Sequence, residues 1–249
     1  VHEASLHEDN SFITLTYRDA DLPGGGTLKK KDFQDFMKRL RKAILPKRIR
    51  FYHCGEYGEE LGRPHYHALI FGYDFPDKLF WKEIRGNRAY TSKLLDDTWS
   101  KGYCSIGDVT FQSAAYVARY IMKKQAGKTA KKHYEKTDPE TGEISTRYPE
   151  YTTMSLRPGI ATEWFEKYGG DVFPEDFVVI EGKKYKTPRF YDKLLKASQG
   201  AEVLENVKAL REINAVKRAA DSTPERLRVR EQVQLFKLRR LKRELEDET

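Results

Sequence analysis

The chain has 249 residues, and its 46 Lys and Arg outnumber 38 Asp and Glu to give a formal charge of +8. A hydrophobic share of 39% with 12% aromatics is too apolar for a disordered basic tail, and no apolar run approaches the roughly 18 residues of a membrane span. A soluble, folded protein with no membrane partner is expected, and its positive excess favours a polyanion, usually nucleic acid. Cys54 and Cys104 are the only cysteines and form no Cys-x-x-Cys, which excludes a disulfide framework and a thiolate zinc knuckle and fits a reducing compartment. The first residues carry no basic-then-apolar export signal. The chain begins with Val1 instead of Met, so further residues upstream are expected.

In chain order, SFITLTY (11–17) is β-branched and aromatic and runs into an Asp/Pro/Gly turn, which predicts a first strand. Apolar residues at Phe33, Phe36, Met37, Leu40 and Ile44 have the spacing of one helical face, and Pro46 ends that helix. RIRFYHC (48–54) and PHYHALIFGY (64–73) read as two strands joined by a Gly- and Glu-rich connection, a hairpin. A mixed segment over 76–99 contains helical stretches, GYCSIGDV (102–109) predicts another strand, and SAAYVARYIMKK (113–124) a helix. The order β-α-β-β-α-β predicts an α+β fold, a ferredoxin-like (RRM-like) antiparallel sheet with helices on one face. Residues 125–147 are polar and punctuated, a basic loop with a hairpin tip at DPETGE (138–143). Short strands are expected within 151–160 and 176–188. Beyond Pro188 the composition turns to Glu, Lys, Arg, Leu and Ala, and Thr223 with Pro224 starts a last helix. The expected organisation is a main domain over 1–188 and a helical appendage over 189–249. No P-loop or dinucleotide fingerprint is present.

Two constellations carry chemistry. His65 and His67 stand two apart on a strand, and the period of two puts both imidazoles on one sheet face, a metal-binding pair. Glu56 ends the preceding strand, and a hairpin returns its carboxylate toward them; Glu59 and Glu60 are rivals, because the register of the turn is not readable. A site of two imidazoles and a carboxylate, without thiolate, takes Mg²⁺, Mn²⁺ or Zn²⁺. On the 113–124 helix, Tyr116, Tyr120 and Lys123 fall on one stripe, with Ala114, Val117, Ala118, Ile121 and Met122 opposite, so the phenols are expected away from the core-facing side. A phenol attacks phosphorus when a metal withdraws charge from the nonbridging oxygens and a cation such as Lys123 or Arg119 lowers its pKa.

FITLTY, RPHYHALIF with its upstream GEYG, and YVARYIMKK, in that order, resemble the three motifs of HUH endonucleases that initiate rolling-circle replication. The tyrosines follow the histidines, as in replication initiators, and Tyr-x-x-x-Tyr resembles the two-tyrosine class of small single-stranded DNA phages. Over roughly residues 2–170 the chain looks like the replication initiators of gokushoviruses in the Microviridae. The resemblance implies site-specific nicking and joining of the viral origin strand through a 5′-phosphotyrosine, which starts and ends rolling-circle replication. It implies Tyr116 and Tyr120 as nucleophiles, Lys123 as the motif lysine, His65, His67 and Glu56 as holders of Mg²⁺ or Mn²⁺, and no catalytic role for Thr14 or Thr16. It also implies a host polymerase and helicase as partners, in a bacterial host cytoplasm. Arg63, Arg119, Lys124, Lys128, Lys131, Lys132 and Arg157 are candidate contacts to single-stranded DNA, which needs phosphate neutralisation and stacking platforms. Two other readings compete: a metal phosphoesterase that activates water while the tyrosines pack, and a noncatalytic single-strand binding protein.

Overall fold

The computed structural model describes residues 1–58, 61–84, 86–119, 124–127, 130–137 and 142–240. The chain divides into two compact units, Val1–Ile160 and Ala161–Glu244. In the first unit the elements run β1 (Asn10–Thr16), α1 (Lys30–Ala43), β2 (Arg50–Tyr57), β3 (Pro64–Phe71), β4 (Leu79–Ile84), β5 (Asn87–Thr91) and α2 (Lys93–Trp99). They continue with β6 (Cys104–Gly107), α3 (Phe111–Arg119), α4 (Ala130–Tyr134), β7 (Glu135–Thr137), β8 (Ile144–Thr146) and β9 (Tyr151–Met154).

Seven of these strands form one sheet in the order β4-β5-β6-β1-β3-β2-β9, each neighbouring pair antiparallel. Its inner four, β6-β1-β3-β2, with α1 after β1 and α2 before β6, are the β-α-β-β-α-β arrangement expected from the sequence. Two additions extend it: β9 covers the edge at β2, and the β4–β5 hairpin covers the edge at β6. The hairpin occupies part of the 76–99 segment expected to hold helical stretches. Leu79, Phe80, Trp81 and Tyr90 favour extended backbone, and Gly86 turns the chain at φ +82°. The helical part of that segment is α2 alone, which starts where the Ser92 hydroxyl accepts the Leu95 N–H.

The two-residue period of β1 and β3 sorts their side chains onto two faces. On one face Ile13, Leu15, Tyr66, Ala68 and Ile70 meet Phe33, Phe36, Met37 and Leu40 of α1 and Leu95 and Trp99 of α2. Burial of each large apolar side chain there stabilises the fold by about 1.5–3 kcal/mol. The polar ends are paired as well: the Trp99 indole donates to the Thr16 carbonyl at 2.7 Å, and Arg39 donates to the carbonyls of Thr98 and Trp99 that end α2. On the other face Phe12, Cys54, Leu69 and Phe71 meet Tyr116 and Val117 of α3. The polar stretch after α3 includes the β7–β8 pair, while 138–141 of its expected tip lie outside the described residues.

In the second unit α5 (Thr162–Val172) is followed by the hairpin β10 (Phe177–Ile180) and β11 (Lys183–Lys186), then α6 (Arg189–Gln199), α7 (Ala201–Lys217) and α8 (Pro224–Arg240). Trp164 and Phe165 of α5 pack on Tyr191 of α6. Arg211 of α7 bonds both Asp176 and Asp192. The last helix begins at Pro224, as expected from the Thr-Pro start. Among the described residues no helix is long and apolar enough to cross a membrane.

Candidate functional site

Register brings the histidines together with Glu56. In the β2–β3 ladder Glu56 stands directly opposite His65 and Cys54 opposite His67, so all four side chains share one face. Glu56 Oε1 lies 2.9 Å from His65 Nε2 and 2.8 Å from His67 Nε2. The three groups are buried, at 1%, 8% and 4% exposure, and one donor atom from each lies within 4.8 Å of the others. Glu59 and Glu60, its rivals in the sequence, lie outside the described residues.

The electrostatics of this cluster call for a positive charge. Burial pushes the Glu56 carboxyl up, but hydrogen bonds from His65 and His67 and their charge overcome it and hold it near 2, so the carboxylate is ionised. His65 Nδ1 lies 3.1 Å from the Arg63 carbonyl, which can only accept, so that nitrogen carries the proton. In the neutral ring His65 Nε2 then presents a lone pair to the carboxylate. Such a convergence of imidazole nitrogen and carboxylate oxygen is neutralised by ring protons or by a divalent cation. The donor set, with nitrogen and oxygen but no sulfur, suits Mg²⁺, Mn²⁺ or Zn²⁺.

The sequence implies no catalytic role for Thr14, and the structure gives it a positioning one. It stands opposite His67 in the β1–β3 ladder, with its hydroxyl 3.0 Å from His67 Nδ1. Each histidine thus has an Nδ1 partner, the second bond that fixes ring orientation and tautomer in metal-binding imidazoles. The signal for Thr14 is the β1–β3 register, which a sequence does not print. Phe12 adds a stacked ring 5.7 Å from His67.

Tyr116 differs from its expected orientation. It does not point away from the core-facing side: it is buried with Val117 against the sheet, its ring edge-on to His67 at 5.1 Å and to Phe12 at 6.3 Å. The reason is that α3 lies on the imidazole face itself, so the stripe expected to be free is the one that meets the site. Tyr120 and Lys123 lie outside the described residues, as does Lys128.

The remaining basic candidates are less uniform than the sequence implied. Arg63 is tied down, donating to Asp19 at 2.7 Å and to the Tyr17 carbonyl at 2.8 Å. Arg119 is exposed and donates to the Ala115 carbonyl of its own helix. Lys124, Lys131, Lys132 and Arg157 are exposed, with Lys131 beside Glu135 at 3.7 Å.

Residues 10–125 match a family of replication-associated proteins named for ORF2. The chain is 34% identical over 214 residues to replication-associated protein VP4 of Bdellovibrio phage phiMH2K, covering 82% of this chain and 63% of that protein. It is 31% identical over 218 residues to replication-associated protein ORF2 of Spiroplasma virus 4, with the same two coverages. To replication-associated protein ORF4 of Chlamydia phage 1 it is 29% identical over 202 residues, covering 78% of this chain and 48% of that protein. The chain therefore spans less than two thirds of the length of the relatives it matches. No solved structure matches it. The matched segment runs from β1 to just past α3 and so contains Thr14, Glu56, His65, His67 and Tyr116, and by that match and these relatives the chain belongs to the ORF2 family of replication-associated proteins.

Proposed function

We propose that this protein nicks and rejoins single-stranded DNA at a phage origin by tyrosine transesterification, and so starts and ends rolling-circle replication inside the bacterial host. The observation that carries the reading is the buried Glu56–His65–His67 cluster with the Tyr116 ring edge-on to His67 on the same sheet face. A divalent ion bound there, Mg²⁺ or Mn²⁺, would withdraw charge from the nonbridging oxygens of a phosphodiester. His65, His67 and Glu56 would hold it, with Thr14 and the Arg63 carbonyl keeping the rings in place.

The Tyr116 oxygen attacks phosphorus, the new bond being tyrosine O–P and the broken one P–O3′. The phenol loses its proton as the departing 3′ oxygen gains one. The strand is left with a 3′-OH, which a host polymerase extends, and a 5′ phosphate on the enzyme, so the energy of the phosphodiester is retained. Tyr120 supplies the second nucleophile on the origin regenerated after one round, and the 3′-OH then attacks the first phosphotyrosine to close a circle. Lys123 and Arg119 favour the phenolate as cations on the same helix, and Lys124, Lys128, Lys131, Lys132 and Arg157 neutralise phosphates. Separation of the strands falls to a host helicase.

The burial of Tyr116 also suits the competing reading, in which the metal activates water and the tyrosine packs on His67. A covalent product separates the two. Incubation with single-stranded viral DNA and Mn²⁺ should yield a DNA adduct on Tyr116 or Tyr120, lost when both are changed to Phe. Cleavage at the wild-type rate by the doubly substituted protein rules the tyrosine mechanism out.

A further inference from the structure

A second feature stands on the sheet face that carries the imidazoles. At the end of β6 an open groove of about 720 Å³ is lined by Arg18, Trp81, Asp96, Asp97 and Tyr103 among others. Its position relative to the cluster follows from register. Thr16 stands opposite His65 in β3, and on its other side both its N–H and its hydroxyl donate to the Tyr103 carbonyl, at 2.9 and 3.0 Å. The neighbouring pair is Leu15 with Cys104, so Tyr103 continues the ladder opposite Thr16 and shares the face of Thr16 and His65. Two strand spacings, roughly 10 Å, separate the Tyr103 and His65 backbones.

The lining is unusual for a solvated edge. Tyr103 is 75% exposed and Trp81 52% exposed, two large rings held in water on neighbouring elements. Their placement is enforced at Gly102, where an added Cβ would lie 2.2 Å from the Thr16 carbonyl oxygen and 2.5 Å from the Arg18 nitrogen. The chain passes so close to β1 there that only glycine fits, and the Tyr103 ring is turned outward. Lys82 places its ammonium 4.4 Å over the Trp81 ring. Arg18 donates to the Ser100 carbonyl and pairs with Asp21. The carboxylates of Asp96 and Asp97 would repel phosphate, so the groove suits a base and not the backbone, and a carboxylate accepts from an exocyclic amine.

We propose that the Trp81–Tyr103 groove is a base-binding subsite: it stacks one nucleobase of a single strand whose phosphodiester lies at the imidazole pair, and it offers the base's exocyclic amine the Asp96 and Asp97 carboxylates. The proposal rests on the reading of this sheet face as a single-strand site. It extends that reading from phosphate chemistry to base preference, because thymine carries no exocyclic amine and cytosine does.

The test is equilibrium binding of fluorescein-labelled single-stranded 20-mers to the whole chain in EDTA, where no strand is cut. Stacking of one base is worth a change of about 5- to 150-fold in affinity. Tyr103→Ala and Trp81→Ala should each weaken binding of a mixed-sequence 20-mer within that range, and Tyr103→Phe should retain wild-type affinity. Neither alanine substitution should weaken binding of an abasic 20-mer. Oligo-dC should bind the wild type more tightly than oligo-dT, and Asp97→Asn should narrow the difference. Both rings are exposed, so melting temperatures should stay at the wild-type value; if one variant melts early, the other carries the same comparison. Affinities within twofold of wild type, or equal losses on the abasic strand, overturn the subsite, and equal dC and dT affinities overturn the role of the carboxylates. Base-dependent binding without any covalent adduct in Mn²⁺ would leave the groove standing and overturn the nicking reading.

Discussion

Replacing Thr14 by Val removes one hydroxyl and keeps the volume, so it isolates the hydrogen bond to His67. That bond spans 3.0 Å, and its imidazole is only 4% exposed, so no solvent replaces the lost partner. A buried polar atom left without a partner costs about 1–3 kcal/mol. If His67 ligates through Nε2, the same loss appears in metal affinity, where removal of a second hydrogen bond to a ligating imidazole lowers binding about 10- to 100-fold, or roughly 1.4–2.8 kcal/mol. Thr16→Val is the matched control: its hydroxyl donates to the Tyr103 carbonyl at an exposed position and touches neither histidine. Calorimetric titration with Mn²⁺ at pH 7.5 should show the weakening for Thr14→Val and little change for Thr16→Val, while thermal melts in EDTA report the folding cost separately. Mn²⁺ affinity of Thr14→Val within twofold of wild type would refute the argument that the hydroxyl orients a metal-binding ring.

Metal should stabilise the folded chain, and at a hundredfold excess over its dissociation constant the gain is about 2.7 kcal/mol, or roughly 5–10 °C in melting temperature. Glu56→Gln should abolish that Mn²⁺-dependent rise, and an undiminished rise would place the ion elsewhere. The buried His53 ring, stacked on Phe33 at 3.5 Å, gives a pH dependence of known sign. Burial lowers its pKa from 6.5 to about 3, against the bond with Thr153. Between those values the unfolded chain binds a proton that the folded chain does not, so stability should fall as pH drops from 6.5 toward 3, by up to about 1.4 kcal/mol per pH unit. Urea midpoints at pH 7 and pH 4.5 should differ less in His53→Gln than in wild type; equal differences would assign the acid sensitivity to other groups. Gly102→Ala forces a methyl group against β1 and should cost about 1–3 kcal/mol, lowering the melting temperature by roughly 3–10 °C. A melting temperature within 1 °C of wild type would mean that the β1–β6 end opens freely.

The parts of this protein that sequence makes legible are those set by periodicity. Phe33, Phe36, Met37 and Leu40 mark the buried face of α1 because a helix repeats every 3.6 residues. His65 and His67 mark a shared face because a strand repeats every two. What register decides is not legible. Glu56 is separated from Glu59 and Glu60 only by knowing which residue faces His65, and Thr14 becomes a partner of His67 only through the β1–β3 pairing. Periodicity misplaces Tyr116 for a related reason: helical spacing gives the stripes of α3 but not the sheet face on which the helix lies. The β4–β5 hairpin escapes because Leu79, Phe80 and Trp81 are exposed and do not alternate with polar residues as a half-buried strand would.

All eight residues of β3 are buried, and the strand lies between β1 and β2, with further strands beyond each of them. Its amides are therefore expected to exchange with solvent only when the whole first unit opens, since strands bonded on both sides and shielded above and below belong to the most protected cooperative core. The two imidazoles ride on that core, so their positions are fixed before any ligand arrives. Little conformational freedom remains to be lost when a cation binds, and the entropic cost that a loop-borne site incurs at that moment has here been met during folding. Amide exchange along β3 should accordingly be nearly the same with and without Mn²⁺, apart from the global stabilisation that binding brings.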